Sequence, residues 1–378
     1  MSAPNTQRLA PGFSFRVVAG DPSGARVGEF VTPHGTVETP AFMAVGTQGA
    51  VKGVTPDQLR RAGGTILLSN TYHLTVRPGS AVVRELGGLH QFSGWDGPIL
   101  TDSGGFQVLS LAALRRIDDV GVVFRSHLDG QELRLTPERV LEIQAELGTD
   151  IAMVLDDCPG PEVDRDGAAC ALERTLKWAR RTAEHREGLR SPDPLAVFGI
   201  LQGGAFEDLR REGAERLREI PFDGYAIGGV SVGEDRERLL ATIPWGARHL
   251  PLERPRYLMG VGGLTEFTHA IDAGVDLFDC VIPTRNARNG FLFRRHGDPI
   301  RLRNARYRSD PGPIEDGCSC EACARFSRGF LQHLMLRREI LYSTLASIHN
   351  LHVFYRFLAD ARAAIRAGTW AAFAAAHR

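Results

Sequence analysis

Short runs of consecutive apolar residues alternate along the chain with longer stretches in which apolar positions recur every three or four residues. The runs are AFMAVGT near 41, TILLSNT near 65, PILTDSG near 98, DIAMVLDD near 150, LAVFGILQGG near 195, GYAIGGV near 224, RYLMGVGG near 256 and VDLFDCVI near 275. Consecutive apolar positions predict strands buried on both faces, as in a parallel sheet. The intervening segments TPDQLRRAG, TPERVLEIQAELG, ALERTLKWARRTAEHREG, AFEDLRREGAERLREI and EDRERLLATIPWGARHL have helical periodicity. Eight strand–helix units predict an α/β fold, a closed (β/α)8 TIM barrel. The alternative is a doubly wound open sheet, but no GxGxxG opens a helix after the first strand.

The rhythm breaks in three places. Residues 1–40 alternate in period two around the turn signals DPSG and TPHG, which predicts an N-terminal antiparallel meander. Residues 103–150 are too long for one helix and contain VGVVFRSHLDGQELRLT, a hairpin pattern turning at LDGQ. Residues 291–349 follow the eighth strand and carry CSCEAC, so they read as an inserted subdomain. The expected division is a meander over 1–40, a barrel over 41–290 and 350–378, and the insert over 291–349.

Composition changes this picture in two respects. Hydrophobic residues make up 43% of 378, enough for a large core. The first thirty residues lack an apolar leader core and no stretch approaches the roughly 18–20 apolar residues of a membrane span, so a soluble, cytoplasmic protein is expected. Three of six cysteines fall in CSCEAC, a spacing that fits a metal site in a reducing compartment better than disulfides. Net charge is zero, with 45 basic and 45 acidic residues, yet residues 285–308 hold eight arginines against one acid. That local patch suits a polyanion.

In such barrels chemistry sits at the C-terminal strand ends. Asn70, His73, Asp102, Asp156, Asp157, Gln202, Gly228, Gly229, Met259, Gly260 and Asp279 fall there. One acid alone would read as a helix cap or an ion pair; four at neighbouring strand ends point to a polar pocket. Paired carboxylates suit reactions that develop positive charge at a sugar's anomeric carbon, one attacking and one moving a proton. Asp279, in the apolar DLFDCVIPTR, and Asp102, in TDSGGFQ, lie in different surroundings that would separate their pKa values. Arg285 is expected to favour ionised Asp279. The residue pattern thus points to retaining glycosyl transfer. C-x-C-x-x-C at Cys318, Cys320 and Cys323 supplies three thiolates, with His333, His349 and His352 as candidates for a fourth ligand.

The motifs SNTYHLTVRPG, LTDSGGFQVLSL, LQGG, YAIGGVSVGE, RYLMGVGG, FDCVIPTRNARNG and CSCEAC followed by SIHNL resemble, in order and over nearly the whole chain, the bacterial tRNA-guanine transglycosylase (queuine tRNA-ribosyltransferase) family. The resemblance implies a barrel with an inserted zinc-binding subdomain. It also implies exchange of guanine at the wobble position of GUN-anticodon tRNAs (those for aspartate, asparagine, histidine and tyrosine) for a 7-deazaguanine base, typically 7-aminomethyl-7-deazaguanine, in queuosine biosynthesis. By it Asp279 is the nucleophile that forms a covalent RNA–enzyme intermediate and Asp102 the general acid/base. Asp102, Ser103, Asp156, Cys158, Gln202, Gly229, Val230 and Ser231 would contact the base, between Phe106 and Met259. Gly260, Val261, Gly262, Gly263, Thr284, Arg285, Asn286 and Arg288 would contact RNA.

The same resemblance selects His349 as the ligand that completes one structural Zn2+ site with Cys318, Cys320 and Cys323, and implies a homodimer, to which Phe326 and Phe330 could contribute. GGVSVGE has Val230 and Ser231 where bacterial members usually show Leu and Ala; Ser there is similar to the queuine-accepting eukaryotic type, which is the alternative substrate reading. GVGGLTEF departs from the more usual GVGTPEDL. Glu234 is a candidate for orienting a cationic aminomethyl group. A retaining glycosidase is the remoter alternative; such sites are generally tryptophan-rich, and the four tryptophans here avoid the strand ends.

Overall fold

The computed structural model describes residues 6–105, 115–125, 130–189, 191, 193–231 and 233–378. Eight parallel strands close into a barrel: β1 (Ala41–Val45), β2 (Leu67–Ser69), β3 (Ile99–Thr101), β4 (Ile151–Met153), β5 (Ala196–Leu201), β6 (Gly224–Ile227), β7 (Arg256–Leu258) and β8 (Leu277–Cys280). Closure is made by β8 against β1, with Asp279 opposite Met43. Each strand coincides with one of the eight apolar runs, and the open-sheet alternative falls with the closure.

The outer helices start where their sequences say they should. Thr55 caps Pro56–Ala62 in a capping box with Gln58, Thr136 caps Pro137–Leu147, Asp164 caps Arg165–Gly188 and Asp235 caps Arg236–Ala247. Each such cap stabilises its helix by about 1 kcal/mol. Gly63 and Gly148 end two of these helices in the left-handed region, at φ 112° and 69°, which a residue with a Cβ adopts only at a cost.

Beneath the barrel lies a four-stranded antiparallel sheet built from Gln7–Arg8, Ser14–Gly20, Arg26–Thr32 and Gly35–Thr39. It is fastened to three buried aspartates, each directly preceding an even-numbered strand. Asp276, before β8, takes Arg26 Nε at 3.0 Å and Nη2 at 2.5 Å; Asp223, before β6, takes the Ala10 N–H at 2.7 Å; Asp150, before β4, meets His34 Nδ1 at 2.7 Å. The same carboxylates accept the N–H of Arg256, Val197 and Ile99 at 2.7–2.9 Å, tying each even strand to its odd neighbour. Phe30 of the sheet packs on Phe198 of the barrel, completing the floor.

The expected hairpin is present: Val122–Arg125 pairs antiparallel with Glu132–Leu135, and Arg115–Ile117 adds a third strand. The LDGQ turn itself lies largely outside the described residues. After β8 come Ile282–Arg288, a short ribbon of Phe291–Leu292 with Ile300–Arg301, and helices Glu321–Arg325 and Arg328–Arg337. The eighth outer helix, Ile340–Arg366, crosses the position 349/350 at which the sequence reading divides insert from barrel, so one helix serves both. None of the described helices is long and apolar enough to cross a membrane.

Candidate active site and metal centre

The barrel mouth opens into a cavity of about 430 Å³. Asn70, His73, Asp102, Ser103, Asp156, Cys158, Gly228, Gly229, Val230, Ser231, Met259, Gly260, Asp279 and Arg285 line it. These come from segments following β2, β3, β4, β6, β7 and β8, which are distant in sequence and meet only through barrel closure.

Asp279 is the last but one residue of β8 and is 9% exposed. Its Oδ1 accepts the Tyr257 hydroxyl at 2.7 Å and the Gly260 N–H at 2.7 Å, leaving Oδ2 toward the cavity. Burial raises its pKa to about 6, the two hydrogen bonds opposing and the nearby Asp102 charge adding to the rise. Arg285, expected to hold Asp279 ionised, is exposed at the rim of the same cavity, and the groups that favour the charged form of Asp279 are Tyr257 and Gly260. Tyr257 was not singled out from the sequence. Its signal was available, because it lies on β7 two residues before Met259, which directly follows that strand, and both line the cavity.

Asp102 accepts Asn70 Nδ2 at Oδ2 (2.5 Å) and the Thr71 N–H at Oδ1 (2.9 Å), while the Thr71 hydroxyl donates to its carbonyl at 2.6 Å. Asp156 accepts Ser103 Oγ at 3.0 Å and Gln202 Nε2 at 2.7 Å. Burial lifts its pKa to about 6 despite both bonds, with Asp157 and Asp102 adding to the rise. Gln202 is fully buried, and its Oε1 has no hydrogen-bond partner among the described residues. Cys158 is buried, its thiol pushed up to about 12 by burial, so it acts as a neutral wall. Phe106 lies outside the described residues.

Three expectations change. Asp157 does not join the mouth: Arg174 Nη1 bonds its carboxylate and its N–H goes to Thr175, making it structural. Val261 is 1% exposed and Thr284 is buried with its hydroxyl on the Val281 carbonyl, so both side chains face the interior. Glu234 folds back onto the N–H groups of Ser231 and Gly233, beneath the loop. Ser231 itself has φ 67°, an uncommon conformation for a residue with a side chain. Gly262 is explained by packing: a Cβ there would lie 2.1 Å from Cys280 Sγ.

At the rim of the mouth, Ile282–Arg288 carries exposed Arg285 and half-buried Asn286. Arg288 is half-buried; desolvation and Arg285 lower its pKa, and its Nη1 has no hydrogen-bond partner among the described residues.

Cys318, Cys320, Cys323 and His349 bring their ligand atoms within 4.8 Å of one another. His349 Nδ1 lies 3.8, 3.4 and 3.3 Å from the three sulfurs, and its Nε2 donates to the Phe293 carbonyl at 2.7 Å. That outer bond fixes the tautomer with Nδ1 free to ligate. Three thiols and one imidazole in a tetrahedral cluster form a donor set that could hold a metal ion, and it is of the type zinc takes in closed sites. His333 is exposed on Arg328–Arg337, and His352 bonds the Ala62 carbonyl at 3.2 Å, so neither competes. A second group, His34, His90 and Asp150, sits at the barrel floor. Its two rings are stacked at 3.6 Å and 19° from parallel. Imidazoles on a common ion must splay so that their lone pairs converge, and these run side by side.

Comparison with known proteins agrees with this architecture. The family model described as queuine tRNA-ribosyltransferase matches residues 21–378. Proteins of that name are 49% identical in Pelotomaculum thermopropionicum (94% of this chain, 95% of the relative), 48% in Solidesulfovibrio magneticus (99% and 97%) and 51% in Aromatoleum aromaticum (94% and 95%). The barrel, its mouth and the cysteine cluster all lie within the matched span, and the chain is an enzyme of the pentosyltransferase class. It belongs to the queuine tRNA-ribosyltransferase family, the tRNA-guanine transglycosylases.

Proposed function

We propose that this cytoplasmic enzyme replaces guanine at the wobble position of GUN-anticodon tRNAs with a 7-deazaguanine base, the aminomethyl form, through a covalent Asp279–ribose intermediate. The observation that carries the reading is the disposition of Asp279: one oxygen is held by Tyr257 and Gly260 while the other faces a cavity shared with Asp102. Oδ2 bonds to the ribose C1′ as the glycosidic bond breaks, its electron pair leaves with the base, and Asp102 delivers the proton that neutralises the departing guanine. Entry of the new base reverses these steps, with Asp102 accepting a proton.

Asp156 offers acceptors to the amino and ring N–H groups of the base. Gln202, through its amide, and Gly229, through its N–H, offer donors to its carbonyl. Met259 covers one face of the ring. The wobble nucleotide lies in a single-stranded loop, so turning it into the cavity costs little. Exposed Arg285 suits a backbone phosphate. One structural zinc on Cys318, Cys320, Cys323 and His349 would order the segment after β8. A second copy of the chain would cover exposed Phe330, Leu336, Ile340 and Leu341, which lie close in sequence beside the cluster.

The test is incubation with radiolabelled guanine, unmodified GUN tRNAs and competing deazaguanines, queuine included. Label should enter these tRNAs and be chased by the aminomethyl base; preferential chase by queuine would move the reading to the queuine-accepting type. Asp279→Asn should form no denaturant-resistant RNA–protein adduct, and a variant that still traps RNA covalently would remove Asp279 from the nucleophile's role.

A further inference from the structure

Arg210, on helix Glu207–Leu217, is fully buried, and no carboxylate among the described residues pairs with it. Its guanidinium instead ends on four main-chain carbonyls. Nε donates to Gly204 at 2.8 Å, Nη1 to Leu201 at 3.2 Å and Gly228 at 2.7 Å, and Nη2 to Gly229 at 3.2 Å. Burial lowers its pKa to about 10, which still leaves it charged at neutral pH. A buried charge without an opposite partner costs several kcal/mol, which the hydrogen bonds to four carbonyls offset. Its role lies in what those bonds do to the loops they join.

A trans peptide is planar, with its C=O and N–H pointing in opposite directions. Pinning the Gly228 carbonyl onto Arg210 turns the N–H of Gly229 the other way, and pinning the Gly229 carbonyl does the same to the N–H of Val230. Gly228, Gly229 and Val230 all line the cavity. Gly229 has φ 63°, and a Cβ on it would lie 2.3 Å from Gln202 Oε1 and 3.4 Å from Arg210 Nη2, so the backbone itself packs against both side chains. Successive N–H groups held this way, with a cation behind their carbonyls, make a concave donor site for an oxygen bearing partial negative charge.

We infer that Arg210 is the positioning residue that makes the Gly229–Val230 backbone a reader of the carbonyl oxygen of a 6-oxopurine. This rests on the base-exchange reading above. Arg210 touches neither base nor ribose; it acts through the two peptides whose carbonyls it holds.

The experiment compares labelled guanine exchange with inhibition by 2-aminopurine, which lacks the 6-oxygen, in the full-length enzyme at saturating tRNA. Arg210→Met is expected to raise KM for guanine about tenfold or more, to leave KM for tRNA within about twofold, and to lower the preference for guanine over 2-aminopurine about tenfold. Arg210→Lys, whose ammonium has three donors for the four carbonyls, should fall between, and it serves if the Met variant does not fold. An equal loss for both bases, with the preference intact in the folded variant, would make Arg210 merely structural and overturn the inference. A wild-type enzyme that exchanges no guanine and does not prefer it would overturn the base reading and the inference together.

Discussion

At the scale of the residue, the two buried carboxylates with raised pKa values set activity against stability. Asp279 and Asp156 go from 3.8 to about 6, so the folded chain retains protons that the unfolded chain loses between those pH values. Stability present below pH 3.8 is lost as pH rises through about 6, and at pH 7 each ionised carboxylate costs about 3 kcal/mol. Asp279→Asn keeps an oxygen for Tyr257 and Gly260 and sheds the charge. It is therefore expected to raise unfolding free energy at pH 7 by about 1–3 kcal/mol in urea titrations, even as it removes activity. The titration of Asp279, the proposed nucleophile, should be visible as well. Adduct formation in single turnovers should fall about tenfold per pH unit below about 6, and Tyr257→Phe, removing one of two stabilising donors, should move that midpoint up by about one unit. An unmoved midpoint would mean that Tyr257 does not hold Asp279. The acids themselves were legible as polar residues ending apolar runs. The groups that tune them were not, since Tyr257 and Thr71 act by where the fold puts them.

At the scale of the element, helix Ile340–Arg366 carries more than its share. His349 enters the metal cluster, Asn350 Nδ2 bonds the carbonyls of Pro283 and Phe291 at 2.9 and 3.0 Å, and the Tyr342 hydroxyl bonds that of Ala287 at 2.8 Å. Further along, Phe354 packs on Phe42 of β1. Cys320→Ala is expected to lose the metal and several kcal/mol of stability, measured by atomic emission and thermal melts, with exposed Cys170→Ala unchanged in both. Full metal content in the Cys320 variant would contradict the assignment. Strands and helices were legible because their periods differ and their caps are explicit in TPDQ and TPER. The continuity of this last helix was not: the cysteines before it suggested a boundary at 349/350, whereas the helix runs through it, buried on every face from Leu345 to Tyr355.

At the scale of the whole molecule, the sheet of residues 7–39 and the barrel are joined through aspartates that the sequence cannot pair, since Arg26 and Asp276 stand 250 residues apart. Arg26 Nη2 also donates to the Arg254 carbonyl at 2.9 Å. Arg26→Met strands a buried carboxylate and should cost about 3–5 kcal/mol in urea unfolding, while KM for guanine stays unchanged because the mouth lies at the other end. A large change in KM would mean that floor and mouth are coupled.

The floor also bears on the order of events. With Phe30 and the three aspartate fastenings closing the lower end, a base has one way in and the same way out. There is also one set of donors and acceptors to hold it, so two bases cannot be bound at once. On the proposed mechanism guanine departs before its replacement arrives, and during that interval the tRNA is bonded to Asp279. That order predicts a substituted-enzyme sequence, with initial-velocity plots for tRNA and incoming base running parallel.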